Sequence, residues 1–234
     1  MPDVRKLDKK SLAKMMDFSI LPKETCRKEI IDGCKTARKY GFAAFYSSSA
    51  FWSPIVAKEL AGTDIEVGTG IAFPFGSAPA SVKAFETEDA VKKGCTTVDV
   101  VMNVGALKDR NYGVVREELR LFAKAAGDAV TKAILEVCYL KDEEISAGCK
   151  LIAEAGIAYA KTSTGQFEGP SMEQFLVMKE ALKGGRVKLK VSGVKFPRPQ
   201  NALVFIMAGA ERIGTRAAPE IVDALDSMRA IGLC

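Results

Sequence analysis

The 234-residue chain contains no histidine. That absence excludes a Ser-His-Asp or Cys-His apparatus, the His-Glu-x-x-His zinc motif and any histidine-ligated metal site, and it leaves lysine and carboxylates as the acid–base machinery. Six cysteines, at 26, 34, 95, 138, 149 and 234, include no Cys-x-x-Cys pair. This argues against a zinc site and a disulfide framework, so the cysteines are expected to be reduced and mostly buried. Long apolar runs are missing: the longest apolar stretch includes 203–210, far short of the roughly 20 residues needed to cross a bilayer. The opening Met-Pro-Asp-Val-Arg-Lys lacks the apolar centre of a signal peptide, and a soluble, cytoplasmic protein is expected. No basic block is interleaved with aromatics. The 34 basic and 29 acidic residues, net +5, run along the whole chain, which excludes an evident nucleic-acid surface and leaves a mild bias towards an anionic small molecule.

With 48% apolar and 27% charged residues, the composition is that of a folded soluble domain with a large core. Apolar, strand-like runs fall at 15–21, 42–46, 65–73, 96–103, 131–137, 157–161, 186–192 and 211–215. Segments with helical character lie between them, at 23–40, up to 60, 80–93, 112–126, 142–155, 171–183, up to 208, and at 219–230. Eight alternations at spacings of about thirty residues or less predict a parallel (β/α)8 TIM barrel. No linker divides the chain, so 1–234 is expected to form one barrel domain, with 1–14 as a helical lead-in. An open doubly wound sheet fits less well, because the Gly-x-Gly-x-x-Gly fingerprint is missing after the first strand.

The segment 157–165, Ile-Ala-Tyr-Ala-Lys-Thr-Ser-Thr-Gly, carries Lys161 to the carboxyl end of a buried strand, where barrels place their chemistry. Two readings fit such a lysine. Its ammonium snorkels to water, or it is a desolvated amine with a lowered pKa that attacks a carbonyl to give a Schiff base. Side chains two apart share a strand face. On that basis Asp99, Val101 and Asn103 group together, as do Lys132, Ile134 and Glu136, and Lys188, Lys190 and Ser192. Asp99, Lys161 and Lys190 are thus expected in one interior, where a charged Lys190 paired with Asp99 depresses Lys161 by repulsion. Asp99 is then either an acid–base group or one half of a structural ion pair.

Four segments, DVVMNVGALK (99–108), KTSTG (161–165), KVSG (190–193) and AGAERIGT (208–215), resemble the signatures of the deoxyribose-phosphate aldolase family. Weaker echoes lie at 17–21, 41–43 and 73–76. The resemblance implies a TIM barrel that makes or breaks a carbon–carbon bond reversibly between an aldehyde donor and an aldehyde phosphate, with no metal or organic cofactor. A small phosphorylated or otherwise anionic sugar is the implied substrate, and a homodimer the implied assembly. Residue by residue, Lys161 matches the Schiff-base lysine, Lys190 the lysine that tunes it, and Asp99 the acid–base aspartate. The most direct expectation is cleavage of 2-deoxyribose 5-phosphate to acetaldehyde and glyceraldehyde 3-phosphate. The alternatives are a related class I aldolase with a different donor or acceptor, and a non-catalytic sugar-phosphate-binding barrel.

The departures from the family pattern lie around this trio. Asp17-Phe18-Ser19 stands where Asp-His-Thr is usual, and Tyr46 where many members have cysteine. The phosphate-facing segments, usually Ser-Gly-Gly-Ile-Arg and Gly-Thr/Ala-Ser-Ser, read Ser192-Gly193-Val194-Lys195-Phe196 and Gly214-Thr215-Arg216-Ala217. Gly165, Gly193 and Gly214 are expected to allow close approach of an anion. Arg216 either binds that anion through its planar fork or lies on the surface. Ser163 and Thr164 either hydrogen-bond substrate or cap a turn. Glu136 either orients a lysine or sits in an ion pair.

Overall fold

The computed structural model describes residues 6–233. Eight parallel strands, β1 (Met16–Ile20), β2 (Ala44–Ser47), β3 (Glu66–Ile71), β4 (Thr97–Val101), β5 (Val130–Ile134), β6 (Tyr159–Lys161), β7 (Lys188–Ser192) and β8 (Arg212–Thr215), close into a barrel in chain order. Closure is made by β8 pairing with β1, with Gly214 opposite Asp17. This is the (β/α)8 TIM barrel that the alternation predicts. Among the described residues, no helix is long and apolar enough to cross a membrane. Of the expected lead-in at 1–14, Lys9–Ala13 is helical and capped by Asp8, whose carboxylate accepts from Ser11 N at 2.7 Å. The rest of that expectation, at 1–5, and Cys234 lie outside the described residues.

The apolar core is a ring between the strands and the surrounding helices. Ile20, Phe45, Val67, Val98, Val100, Ala133, Ala160 and Val191 all belong to it. Gly33 on the helix Arg27–Tyr40 lets that helix lie close to the sheet, since a Cβ there would stand 2.6 Å from Ile20 and 2.7 Å from Phe45. Phe18 packs in this ring, 5.3 Å from Phe42 and 5.6 Å from Phe45 between centroids. It therefore does not narrow the barrel mouth. Alternation along the strand then turns its neighbours Asp17 and Ser19 inward, and both line the central cavity.

Several expected boundaries move. The strand expected at 96–103 ends at Val101, and Asn103 caps the short helix Val104–Lys108, accepting from Ala106 N at 3.0 Å. Asn103 therefore does not share the interior face with Asp99. The strand expected at 131–137 ends at Ile134, and Glu136 has φ +54° outside it. The closing helix at 219–230 is two, Ala218–Asp223 and Leu225–Ala230.

A buried ion pair fixes the turn after β4. Lys83, on the helix Ala80–Lys92, donates to Val101 O at 2.8 Å and to Glu118 Oε2 at 2.6 Å. Glu118 Oε1 in turn accepts from Asn103 N at 3.0 Å. Burial lowers the Lys83 pKa and raises that of Glu118, each opposed by its partner.

Candidate active site

At the carboxyl ends of the strands opens a cavity of about 630 Å³. Asp17, Tyr46, Asp99, Lys161 and Lys190 line its floor. Lys161 Nζ and Lys190 Nζ both donate to one carboxylate oxygen, Asp99 Oδ2, each at 2.8 Å. Strand register explains the meeting: Lys161 stands opposite Lys190 across the β6–β7 pair, and Lys132 opposite Asp99 across β4–β5. The structure therefore brings the three sequence-derived residues Asp99, Lys161 and Lys190 together.

They belong to a larger buried network. Lys190 Nζ lies 2.7 Å from Asp17 Oδ2. Arg212 donates to Asp17 at 2.9 Å and to Glu66 at 3.2 Å. Lys132 stands 3.8 Å from Asp99, 3.9 Å from Asp17 and 3.7 Å from Glu66. Three carboxyl side chains thus face four basic ones, where TIM barrels more often hold layers of branched apolar side chains. With the three carboxylates ionised, charge balance in so dry a site is met when one basic group is neutral.

Lys161 best fits that role. Burial lowers its pKa, Asp99 opposes the change, Lys190 adds to it, and the result is about 8. Lys190 moves the other way: burial is outweighed by Asp17 and Asp99, and its pKa rises. Burial also lowers Lys132, against the pull of Asp99 and Asp17, but Lys132 does not line the cavity and Lys161 does. For Asp99 burial is overcome by the fields of Lys161, Lys190 and Lys132, so its carboxyl is held far below the usual carboxylate range. Asp17 is lowered in the same way, chiefly by Lys190, Lys132 and Arg212. An amine that is partly neutral near pH 7, beside a charged acid and a charged base, can attack a carbonyl and exchange protons with its neighbours.

The outer part of the cavity is lined by Thr164, Gly165, Gly193, Val194, Gly214 and Arg216, among others. Gly165 and Gly193 have φ +80° and +78°, in the left-handed region that favours glycine. A Cβ at Gly214 would collide with Ser192 Oγ. Gly193 keeps two loops close, a Cβ there standing 2.9 Å from Gly169 Cα, whereas Gly214 lies in β8 and keeps that strand close to the Ser192 side chain on β7. Arg216 lines the cavity but is exposed, and Arg198, at the start of the helix Arg198–Ala208, is a second exposed guanidinium on the same rim. Among the described residues, no carboxylate lines the cavity apart from Asp17 and Asp99 on the floor.

Two expected residues stand elsewhere. Ser163 is fully buried, does not line the cavity, and its Oγ has no hydrogen-bond partner among the described residues. Because β6 ends at Lys161, the residues after it no longer alternate inward and outward. Among the described residues Glu136 neither orients a lysine by a hydrogen bond nor forms an ion pair. Its carboxylate accepts from the backbone N of Thr164 at 3.1 and 3.2 Å, tying the turn after β5 to the turn after β6. Thr164 also caps its own turn, its Oγ1 accepting from Gln166 N at 3.1 Å. Asp17, Glu66, Lys132, Arg212 and Arg198 are additions. The signal for Glu66, Lys132 and Arg212 was a charged residue near the start of an apolar strand.

No family model matches the chain. A deoxyribose-phosphate aldolase of Streptococcus sanguinis is 38% identical over 211 residues, covering 90% of this chain and 95% of the relative. The solved structure of QR15, an aldolase, superposes with a TM-score of 0.86 at 31% identity, covering 94% of this chain and 98% of the other. The fold is shared with the tetrameric deoxyribose phosphate aldolase of Aeropyrum pernix, at a TM-score of 0.87 and 24% identity over 96% of this chain and 95% of the other.

Proposed function

This chain belongs to the deoxyribose-phosphate aldolase family, and from that premise we propose that it is a class I aldolase cleaving 2-deoxyribose 5-phosphate reversibly through a Schiff base on Lys161. The observation that carries the proposal is the cavity-facing Lys161 amine, with its pKa lowered to about 8 and hydrogen-bonded to the Asp99 oxygen that Lys190 also shares.

The neutral Lys161 amine attacks the C1 aldehyde of the open-chain sugar, forming a carbon–nitrogen bond and an alkoxide. Asp99 accepts the proton released from the nitrogen and passes it to that oxygen, and Lys190, charged at rest, supplies the second proton with which the oxygen leaves as water. The cationic imine then draws electrons from the sugar. As the C3 hydroxyl loses its proton to the Asp99–Lys190 pair, C3 becomes the carbonyl of glyceraldehyde 3-phosphate. A two-carbon product fixes the broken bond as C2–C3, and its electron pair forms the enamine. Protonation of the enamine at C2 and hydrolysis of the imine release acetaldehyde and restore Lys161. The rim bearing Arg198, Arg216, Gly165, Gly193 and Gly214 receives the phosphate, through a net positive field and guanidinium forks suited to oxyanions.

A second reading, the same lysine chemistry with another anionic acceptor, is favoured by Val194 and Arg216, which line the cavity. A coupled retro-aldol assay on 2-deoxyribose 5-phosphate tests the first. Turnover abolished by Lys161→Ala supports it, whereas full turnover by Lys161→Ala contradicts it. The same proposal takes the chain as one cytoplasmic domain that assembles as a homodimer, which sedimentation would distinguish from a monomer or a tetramer.

A further inference from the structure

Tyr46 occupies the centre of the barrel floor. Its hydroxyl donates to Asp99 Oδ1 at 2.7 Å and accepts from Lys132 Nζ at 2.7 Å, with Thr97 Oγ1 at 3.0 Å. Its ring centroid lies 4.0 Å from Lys190 Nζ, 5.3 Å from Lys132 Nζ and 5.9 Å from Lys161 Nζ. Room for the ring comes from Gly68 on β3, where a Cβ would stand 2.6 Å from it.

An ammonium only donates hydrogen bonds, an ionised carboxylate only accepts them, and a phenol does both. The order Lys132 to Tyr46 to Asp99 therefore has one direction. With Oδ1 taken by the phenol, both cavity lysines share Oδ2. We propose that Tyr46 is a positioning residue for the Lys161 chemistry: its hydroxyl fixes the Asp99 carboxylate so that Lys161 and Lys190 share one oxygen, and its ring covers Lys190. This rests on the aldolase reading above and adds a residue to it.

The consequence is a division of labour between two like-charged neighbours. The π face stabilises the cationic form of Lys190, and two donors compete for one oxygen, so Lys161 is the amine released. The charged groups around it are Asp17 on β1, Asp99 on β4, Lys132 on β5 and Lys190 on β7, with Glu66 and Arg212 behind them on β3 and β8 and Glu136 after β5. Burial and the nearby Asp99 and Asp17 hold the Tyr46 phenol well above its ordinary range, so it remains neutral while Lys161 titrates.

Tyr46→Phe keeps the ring and removes the hydroxyl. Oδ1 then becomes free to hold Lys161 in its charged form. The assay is reductive trapping of acetaldehyde by cyanoborohydride, with the labelled lysine mapped by mass at pH 6 to 10. The midpoint for Lys161 is expected to rise by about one pH unit in Tyr46→Phe, a roughly tenfold loss of trapping at pH 7 that is recovered at high pH. Gly68→Ala, which displaces the ring and deletes no functional group, is expected to shift the midpoint in the same direction. Thermal unfolding followed in parallel separates a loss of fold from a shift in titration. An unchanged midpoint in Tyr46→Phe would overturn the proposal and leave the aldolase reading intact. Absence of Lys161 labelling in the unaltered chain would overturn both.

Discussion

Replacing Lys190 by methionine tests the electrostatics of the site, because it removes one positive charge while largely keeping the side-chain volume. Lys161 titrates at about 8 against an ordinary 10.5. At pH 7 about one amine in ten is neutral at the lowered value, and about one in 3,000 at the ordinary one. The ceiling on the effect is therefore about 300-fold, or roughly 3 kcal/mol. Burial is the largest cause of the shift and survives the substitution, so Lys190 accounts for only part of it. However, Asp99 and Asp17 each lose a cation, at 2.8 and 2.7 Å, and both then pull harder on the Lys161 proton. A loss of about 10- to 100-fold in the pH 7 trapping rate follows. The deficit is expected to change little up to about pH 8, where the unaltered Lys161 titrates, and then to shrink towards the new midpoint, leaving above it only the part due to the proton that Lys190 supplies. A deficit constant from pH 7 to 10 would refute the reasoning, since the charge state of Lys161 would then contribute nothing and only the proton that Lys190 supplies would be missing. Removing one member of a buried pair costs about 3 to 5 kcal/mol of stability, so the measurement belongs well below the variant's melting temperature.

Arg216→Ala is expected to raise KM for 2-deoxyribose 5-phosphate by the equivalent of about 1 to 3 kcal/mol while leaving KM for unphosphorylated 2-deoxyribose unchanged; equal KM values for the phosphorylated sugar in both proteins would return Arg216 to the role of a surface residue. Lys83→Met leaves the buried Glu118 carboxylate without its cation, and chemical denaturation should show a loss of about 3 to 5 kcal/mol. A companion Lys83→Met, Glu118→Gln variant should recover part of that loss, and a single variant as stable as the unaltered protein would contradict the assignment of the pair as structural.

The barrel is legible in the sequence because each strand is a short, nearly continuous apolar run followed by a segment of helical character, and eight such units leave few other architectures. Lys161, Asp99 and Lys190 stand out for the same reason, as charged residues inside those runs. Glu66, Lys132 and Arg212 carry a weaker signal: near the amino end of a strand, a charged residue looks like a solvated strand end, and only closure of the sheet brings it across to a partner. Glu136 and Ser163 mark the limit of alternation. The backbone leaves the strand at Ile134 and at Lys161, and beyond those points a period of two no longer says which way a side chain faces. Tyr46 needed both kinds of information. Its place on β2 follows from sequence, but its partners lie on β4 and β5, and its space is provided by the missing side chain of Gly68 on β3.

The central claim is that Lys161 is the amine that bonds to the substrate. Borohydride reduction in the presence of acetaldehyde, followed by mass mapping of every labelled lysine, tests it most directly. The account predicts a two-carbon adduct on Lys161 at neutral pH, absent from Lys161→Ala and not transferred to Lys132 or Lys190. Labelling confined to any other lysine, or a labelled site that persists in Lys161→Ala, would contradict it.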